Sequence, residues 1–122
     1  MASMMTPWGL AKSVFDLEPG IVFVLTDEHG GLIVAPDYAE KKLSHPARSR
    51  AVRFLNFYAY EMDGNWAIAL WELPRLLGVL REKVALDFKI SSEQDLKSAL
   101  STRYPDYLKD YWLLKSYTLC RP

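Results

Sequence analysis

The sequence has one cysteine, two histidines, no long apolar run and no excess charge of either sign, and each scarcity excludes something. With Cys120 alone there is no intramolecular disulfide, which points away from a stapled secreted scaffold and toward a reducing compartment. Its place beside the C-terminal end argues against a catalytic thiol. His29 and His45 stand sixteen residues apart, with no cysteine partner and no His–Glu pair at helical spacing, so neither a metal nor a cofactor is expected. Charges or prolines interrupt every apolar run before the roughly 18 residues a membrane-spanning helix needs. The opening residues lack a basic region followed by an apolar core, so the chain reads as cytoplasmic and without membrane contact. Fifteen basic and fifteen acidic side chains cancel, which removes the simplest electrostatic argument for nucleic acid.

What is present is a chain of 122 residues, half of them hydrophobic, which suits one domain over 1–122. At this length roughly two-thirds of the extended surface is buried on folding, enough to hold a core without staples. The charges are segregated although they balance. Asp16 to Glu40 carries six acids and no base, whereas Lys41 to Arg53 carries five bases and no acid. Lys41, Lys42, Arg48, Arg50 and Arg53 therefore form a candidate basic patch, joined by His45 when protonated; the plainer alternative is a solvated loop paired with its acidic neighbour.

Local patterns predict an α+β fold: a small, mostly antiparallel sheet with a hairpin around 21–35 and helices packed on it. Pro19-Gly20 is a turn signal, and Ile21-Val22-Phe23-Val24-Leu25-Thr26 is rich in β-branched and aromatic residues. Asp27-Glu28-His29-Gly30-Gly31 interrupts that pattern before Leu32-Ile33-Val34-Ala35 resumes it, which reads as a tight hairpin turn whose glycines supply positive φ. Both strands are apolar on both faces and so are expected to be covered. Pro36 to Leu43 reads as a short helix, Ser44 to Arg50 as a loop, and Val52 to Tyr60 as one strand leading into an Asp63-Gly64-Asn65 turn. Trp66 to Leu73 fits a buried strand or a buried helical turn, with strand preferred. Pro74 closes it, Arg75 to Arg81 has helical spacing, and Val84 to Ile90 alternates like a further strand. Ser91 with Gln94 resembles a capping box, after which Leu96, Leu100 and Tyr104 mark one face of a helix over about 92–103. A last helix is predicted over about 105–115.

No constellation names a reaction. His29-Gly30-Gly31 resembles the glycine-rich oxyanion loops of esterases, but there is no Gly-x-Ser-x-Gly elbow to supply a nucleophile, and no phosphate-binding glycine pattern occurs. Tyr60-Glu61-Met62-Asp63-Gly64-Asn65-Trp66 places two carboxylates and two large aromatics around a turn. Paired carboxylates do acid–base work when their surroundings separate their pKa values, although Asp63 and Asn65 are equally good turn formers and Trp66 a good core residue.

Read in series, Thr6-Pro7-Trp8-Gly9, Pro19-Gly20-Ile21, Thr26 with His29-Gly30-Gly31, Pro36, and Tyr60-Glu61-x-Asp63-x-x-Trp66-Ala67-Ile68 resemble a small domain of unknown function found in proteins of bacterial plasmids, phages and other mobile elements. The likeness covers roughly 6–73, with Tyr104-Pro105-Asp106 similar to a motif near that family's end, and it departs in the basic segment and the C-terminal tail. It implies an accessory protein of a mobile element and carries over no catalytic residue.

Two readings follow. In the first the chain is a non-enzymatic protein-binding module, for example a phage or plasmid inhibitor of a host defence system such as CRISPR–Cas. Its partner is then a host or defence-system protein, met through Lys41, Lys42, Arg48, Arg50, Arg53 and Tyr60. Nucleic acid is the less favoured partner, and self-association into a homodimer stays open. In the second it is a small hydrolase or nucleotide-modifying enzyme acting through His29 with Glu61 or Asp63.

Overall fold

The computed structural model describes residues 4–84, 88–90 and 92–120. A two-stranded ribbon, β1 (Met5–Thr6) with β2 (Gly9–Leu10), precedes the main sheet. That sheet is built from β3 (Ser13–Glu18), β4 (Ile21–Leu25), β5 (Gly30–Val34), β6 (Val52–Phe54) and β7 (Phe57–Glu61). Its order is β3-β4-β5-β7-β6 and every pairing is antiparallel. The predicted hairpin is β4–β5, in register from Ile21↔Val34 to Leu25↔Gly30.

The glycines of that hairpin serve a different purpose from the one predicted. The turn itself is Thr26 to His29, closed by the Thr26 amide on the His29 carbonyl at 2.8 Å, and its hydroxyl accepts from the His29 amide at 3.1 Å. Gly30 and Gly31 lie inside β5, and the glycines with positive φ are Gly9 and Gly20. A Cβ on Gly31 would stand 2.4 Å from the Tyr60 carbonyl oxygen and 2.5 Å from Cη2 of Trp8. Close approach, rather than backbone conformation, is what requires glycine there.

Side chains of a strand alternate between faces, so the sheet has two linings. Leu17, Ile21, Phe23, Leu32, Val34, Tyr58 and Tyr60 face the helices, where Phe23, Trp66 and Phe88 form a ring cluster with centroids 5.4–6.1 Å apart. Val24, Ile33 and Ala59 face the other way, under Met4, Trp8 and Ala11 of the N-terminal ribbon. Both faces of β5 are thus buried, as its continuous apolarity requires. The free edge of β3 is guarded by Lys83, whose ammonium donates to the Asp16 carbonyl at 2.8 Å.

Six helices complete the described chain: α1 (Pro36–Lys42), α2 (His45–Ser49), α3 (Trp66–Glu72), α4 (Leu76–Lys83), α5 (Glu93–Arg103) and α6 (Pro105–Cys120). Residues 44–50, read as a loop, form α2, because Ser44 caps it by accepting from the Ala47 amide and Pro46 suits its first turn. The Val52–Tyr60 strand is two strands, reversed at Leu55-Asn56 with Leu55 held at φ 55°. Trp66–Leu73 is helical, not extended. Trp66, Ala67, Ile68, Ala69 and Leu70 are all buried, since α3 lies between β7 and α5, and a helix covered all round shows no amphipathic period. In the Val84–Ile90 strand reading, 85–87 lie outside the described residues, and Val84 and 88–90 are not strand. Ser91 also lies outside them; the cap of α5 is Ser92, whose hydroxyl accepts from the Asp95 amide at 3.2 Å. Leu96 and Leu100 are buried as predicted.

Replacing Gly31 with alanine is expected to lower folding stability by about 1–3 kcal/mol, because the methyl group has only a carbonyl and an indole to push against. Gly78→Ala, which adds a methyl to open space in α4, is expected to raise it by about 0.5–1 kcal/mol. Urea midpoints at unchanged slope test both; a neutral Gly31→Ala would show that Trp8 is not seated against that strand.

Candidate functional site

The sheet register brings the first candidate pair together. Gly31 pairs with Glu61 across β5–β7, and His29 sits at the mouth of β5, so the imidazole meets the Glu61 carboxylate with Nδ1 3.1 Å from Oε2. Both side chains remain open to solvent, at 49% and 38% exposure. A cleft of about 680 Å³ adjoins His29, walled by Trp8 to Lys12 and Thr26 to His29, with the Lys12–Asp27 ion pair on its rim. A carboxylate on one ring nitrogen orients the imidazole and leaves the other able to exchange a proton with a molecule in that cleft. Asp63 does not join the pair. It occupies a turn with φ 64°, its carbonyl accepts from the Arg103 guanidinium, and no hydrogen bond or ion pair ties its carboxylate to His29 or Glu61.

The basic segment is divided by the fold. Arg50 bonds Asp110 at 2.9 Å and the Pro46 carbonyl, and lies over the Tyr107 ring. Arg53 stacks on Tyr58, its guanidinium carbon 3.9 Å from the ring centroid, and donates to the carbonyls of Phe57 and Asn56. Arg48 is half-buried on α2, and its Nε is without a partner. His45 is exposed. Lys41 and Lys42, at the end of α1, are exposed and line a separate cleft of about 270 Å³. Tyr60, expected to meet a partner, is fully buried and donates to the Ala47 carbonyl at 2.9 Å. Strand alternation turns it inward, and burial pushes its phenol above the usual range.

Glu72 was not anticipated as a functional or structural centre. Its carboxylate accepts from the Ser44 amide at 2.7 Å, the Ser44 hydroxyl at 2.5 Å and the Tyr107 hydroxyl at 2.5 Å, tying the α1–α2 junction, α3 and α6 together. The available signal was that Glu72 is the single charged residue in the apolar run 66–73. Burial first, and then this bond to Glu72, hold the Tyr107 phenol well above its ordinary pKa. A second polar cluster joins Tyr38, Glu18 and Arg75: the Tyr38 hydroxyl donates to Glu18 at 2.9 Å and accepts from Arg75 at 2.8 Å.

The outer face carries the remaining feature. Between the N-terminal ribbon and the β3–β4 turn runs an apolar groove of about 510 Å³ floored by Met4, Val22, Ile33 and Phe57, with Asp16 and Lys83 at one end. Register places Val14 and Val52 on the same side of the sheet, and both are exposed.

The architecture and these sites define a small α+β domain whose sheet is clasped by an N-terminal ribbon on one side and by helices on the other. The chain belongs to the family described as domain of unknown function (DUF7007), whose model matches residues 1–113. No curated protein and no solved structure matches it. Among the described residues no helix is long and apolar enough to cross a membrane.

Two expectations follow from the polar clusters. Glu72→Gln leaves one oxygen where two served and sets an amide against groups that donate, so stability should fall by about 1–3 kcal/mol in urea titrations; an unchanged midpoint would remove Glu72 as a fastener. For Tyr38, burial and then the bond to Glu18 raise the phenol from 10 to about 12. A raised folded-state pKa means its contribution is complete below pH 10 and is lost as pH rises through about 12. Thermal midpoints should therefore decline across that window in the native chain and decline less in Tyr38→Phe; parallel curves would refute the coupling.

Proposed function

We propose that this chain is a non-enzymatic protein-binding module, an accessory protein of a phage or other mobile element that occupies a surface of a host protein such as a CRISPR–Cas component. The observation that carries the binding reading is the apolar outer layer. Met5 and Leu10, paired across β1–β2, are 55% and 56% exposed; on the side of the sheet that the ribbon covers, Val14, Val52 and Phe57 are exposed as well, and Phe57 lines the apolar groove. Several large apolar side chains exposed on one side of a small domain, with an apolar groove among them, suit an interaction surface. The mobile-element setting and the anti-defence role rest on the sequence resemblance.

A second reading, a small hydrolase or nucleotide-modifying enzyme, is favoured by the 3.1 Å His29–Glu61 contact beside its cleft. The two separate by substitution. Native chain used as bait in its host background is expected to retain a defined protein partner, and Met5→Asp with Leu10→Asp to lose it while stability changes by no more than about 0.5 kcal/mol. His29→Ala should retain it. Loss of biological activity in His29→Ala with partner capture intact would favour the enzyme, and failure to retain any host protein would sink the binding reading.

A further inference from the structure

Three lysines that form no ion pair among the described residues come together in one cleft. Lys41 and Lys42 from the last turn of α1 and Lys115 from α6 line one cleft of about 270 Å³, together with Ser44, Glu72 and Tyr111. Its one acid forms no ion pair with them, since both oxygens of Glu72 are taken by Ser44 and Tyr107, and a single carboxylate among three ammonium groups leaves the cleft with a positive surplus. Among the described residues no carboxylate lies within ion-pair distance of any of the three lysines. Three ammonium groups around one concave surface repel one another and raise the local potential, which draws an anion. Lys115 also lies over the Tyr111 ring at 5.4 Å, which holds its ammonium toward the cleft.

We propose that this cleft receives the carboxylates of an acidic segment of a protein partner. It is a second surface, on the helical side of the sheet, and it stands independently of the outer-face reading. Two observations choose a peptide over nucleic acid. Arg50 and Arg53, which would extend the patch into a phosphate-tracking stripe, are engaged by Asp110 and by Tyr58 with neighbouring carbonyls. What remains is compact, suited to one or two carboxylates instead of a run of phosphates. Trp112, 55% exposed, packs edge-on against the ring of Tyr111, which lines the cleft, and precedes Lys115 by about one helical turn. A large exposed indole next to a charged cleft gives the same segment an apolar anchor.

The test uses the full chain and a fluorescein-labelled oligoglutamate peptide carrying a leucine, read by fluorescence anisotropy at low ionic strength. The native chain should bind it. Lys41→Glu, Lys42→Glu and Lys115→Glu combined should weaken binding by about tenfold or more, as three exposed pairs each turn from attraction to repulsion. Added salt should weaken the native interaction as well. Trp112→Ala should weaken it severalfold, and Lys109→Glu, on α6 outside the cleft, should leave it unchanged. Denaturation midpoints check folding, and Lys→Gln at the same three positions serves if the reversals unfold. No binding by the native chain, equal binding by the triple variant, or tighter binding of a single-stranded oligonucleotide of equal charge would overturn the proposal. Because Met5 and Leu10 take no part in this assay, its failure leaves the outer-face reading standing, and the converse holds.

Discussion

The contact between the Trp8 indole and the bare backbone of Gly31 is the constraint on which the two sides of this molecule depend. β5 is the middle strand of the sheet and is buried on both faces, so each face needs a cover. Six helices cover one. The other is covered by a ribbon of two-residue strands, too small to hold a position by its own hydrogen bonds. Trp8 supplies what the ribbon lacks, and the absence of a Cβ at Gly31 lets the ring reach the strand. The same register sets Glu61 opposite Gly31 and hence beside His29. Ribbon, groove and acid–base pair are consequences of one strand alignment.

On the helical side the corresponding fastener is polar. Glu72 ends α3 and receives donors from the α1–α2 junction and from α6, elements far apart in sequence. Three donors on one half-buried carboxylate meet its hydrogen-bonding demand without an ion pair. Those donors occupy the oxygens that could otherwise pair with the nearby lysines, so the bonds that fasten α6 also leave the adjoining cleft with more positive than negative charge.

What could be read from the residues follows from how strongly each segment is patterned. The β4–β5 hairpin has long apolar runs around a polar turn, and α5 shows Leu96 and Leu100 at one-turn spacing, so both were legible. The α3 helix was not, because burial on all sides gives the same continuous apolarity as a central strand. α2 has five residues, too few for a period to show, and β3 interleaves Asp16 and Glu18 with its apolar residues and escaped notice. The reversal at Leu55 was hidden by chemistry: a leucine with positive φ is no turn signal. For the sites, the proximity of His29 and Glu61 was foreshadowed by their shared motif series. Asp63 belonged to the turn, and Tyr60 to the core.

The charge blocks show where sequence proximity misleads most. Six acids followed by five bases invite the expectation that the two blocks neutralise each other as neighbours. In the described ion pairs they do not: Glu18 meets Arg75, Asp27 meets Lys12, and Arg50 meets Asp110. Each block finds its counter-charges elsewhere in the chain, because antiparallel strands and crossing helices bring distant segments into register and send adjacent ones apart. The basic block is then sorted by reach and chemistry. Arg50 and Arg53, with planar heads and several donors, settle on rings and carbonyls close by, whereas Lys41 and Lys42 at the end of α1 form no ion pair among the described residues. Segregated charge in a chain of zero net charge thus becomes a local surplus on one surface, placed there by the pairing preferences of guanidinium over ammonium.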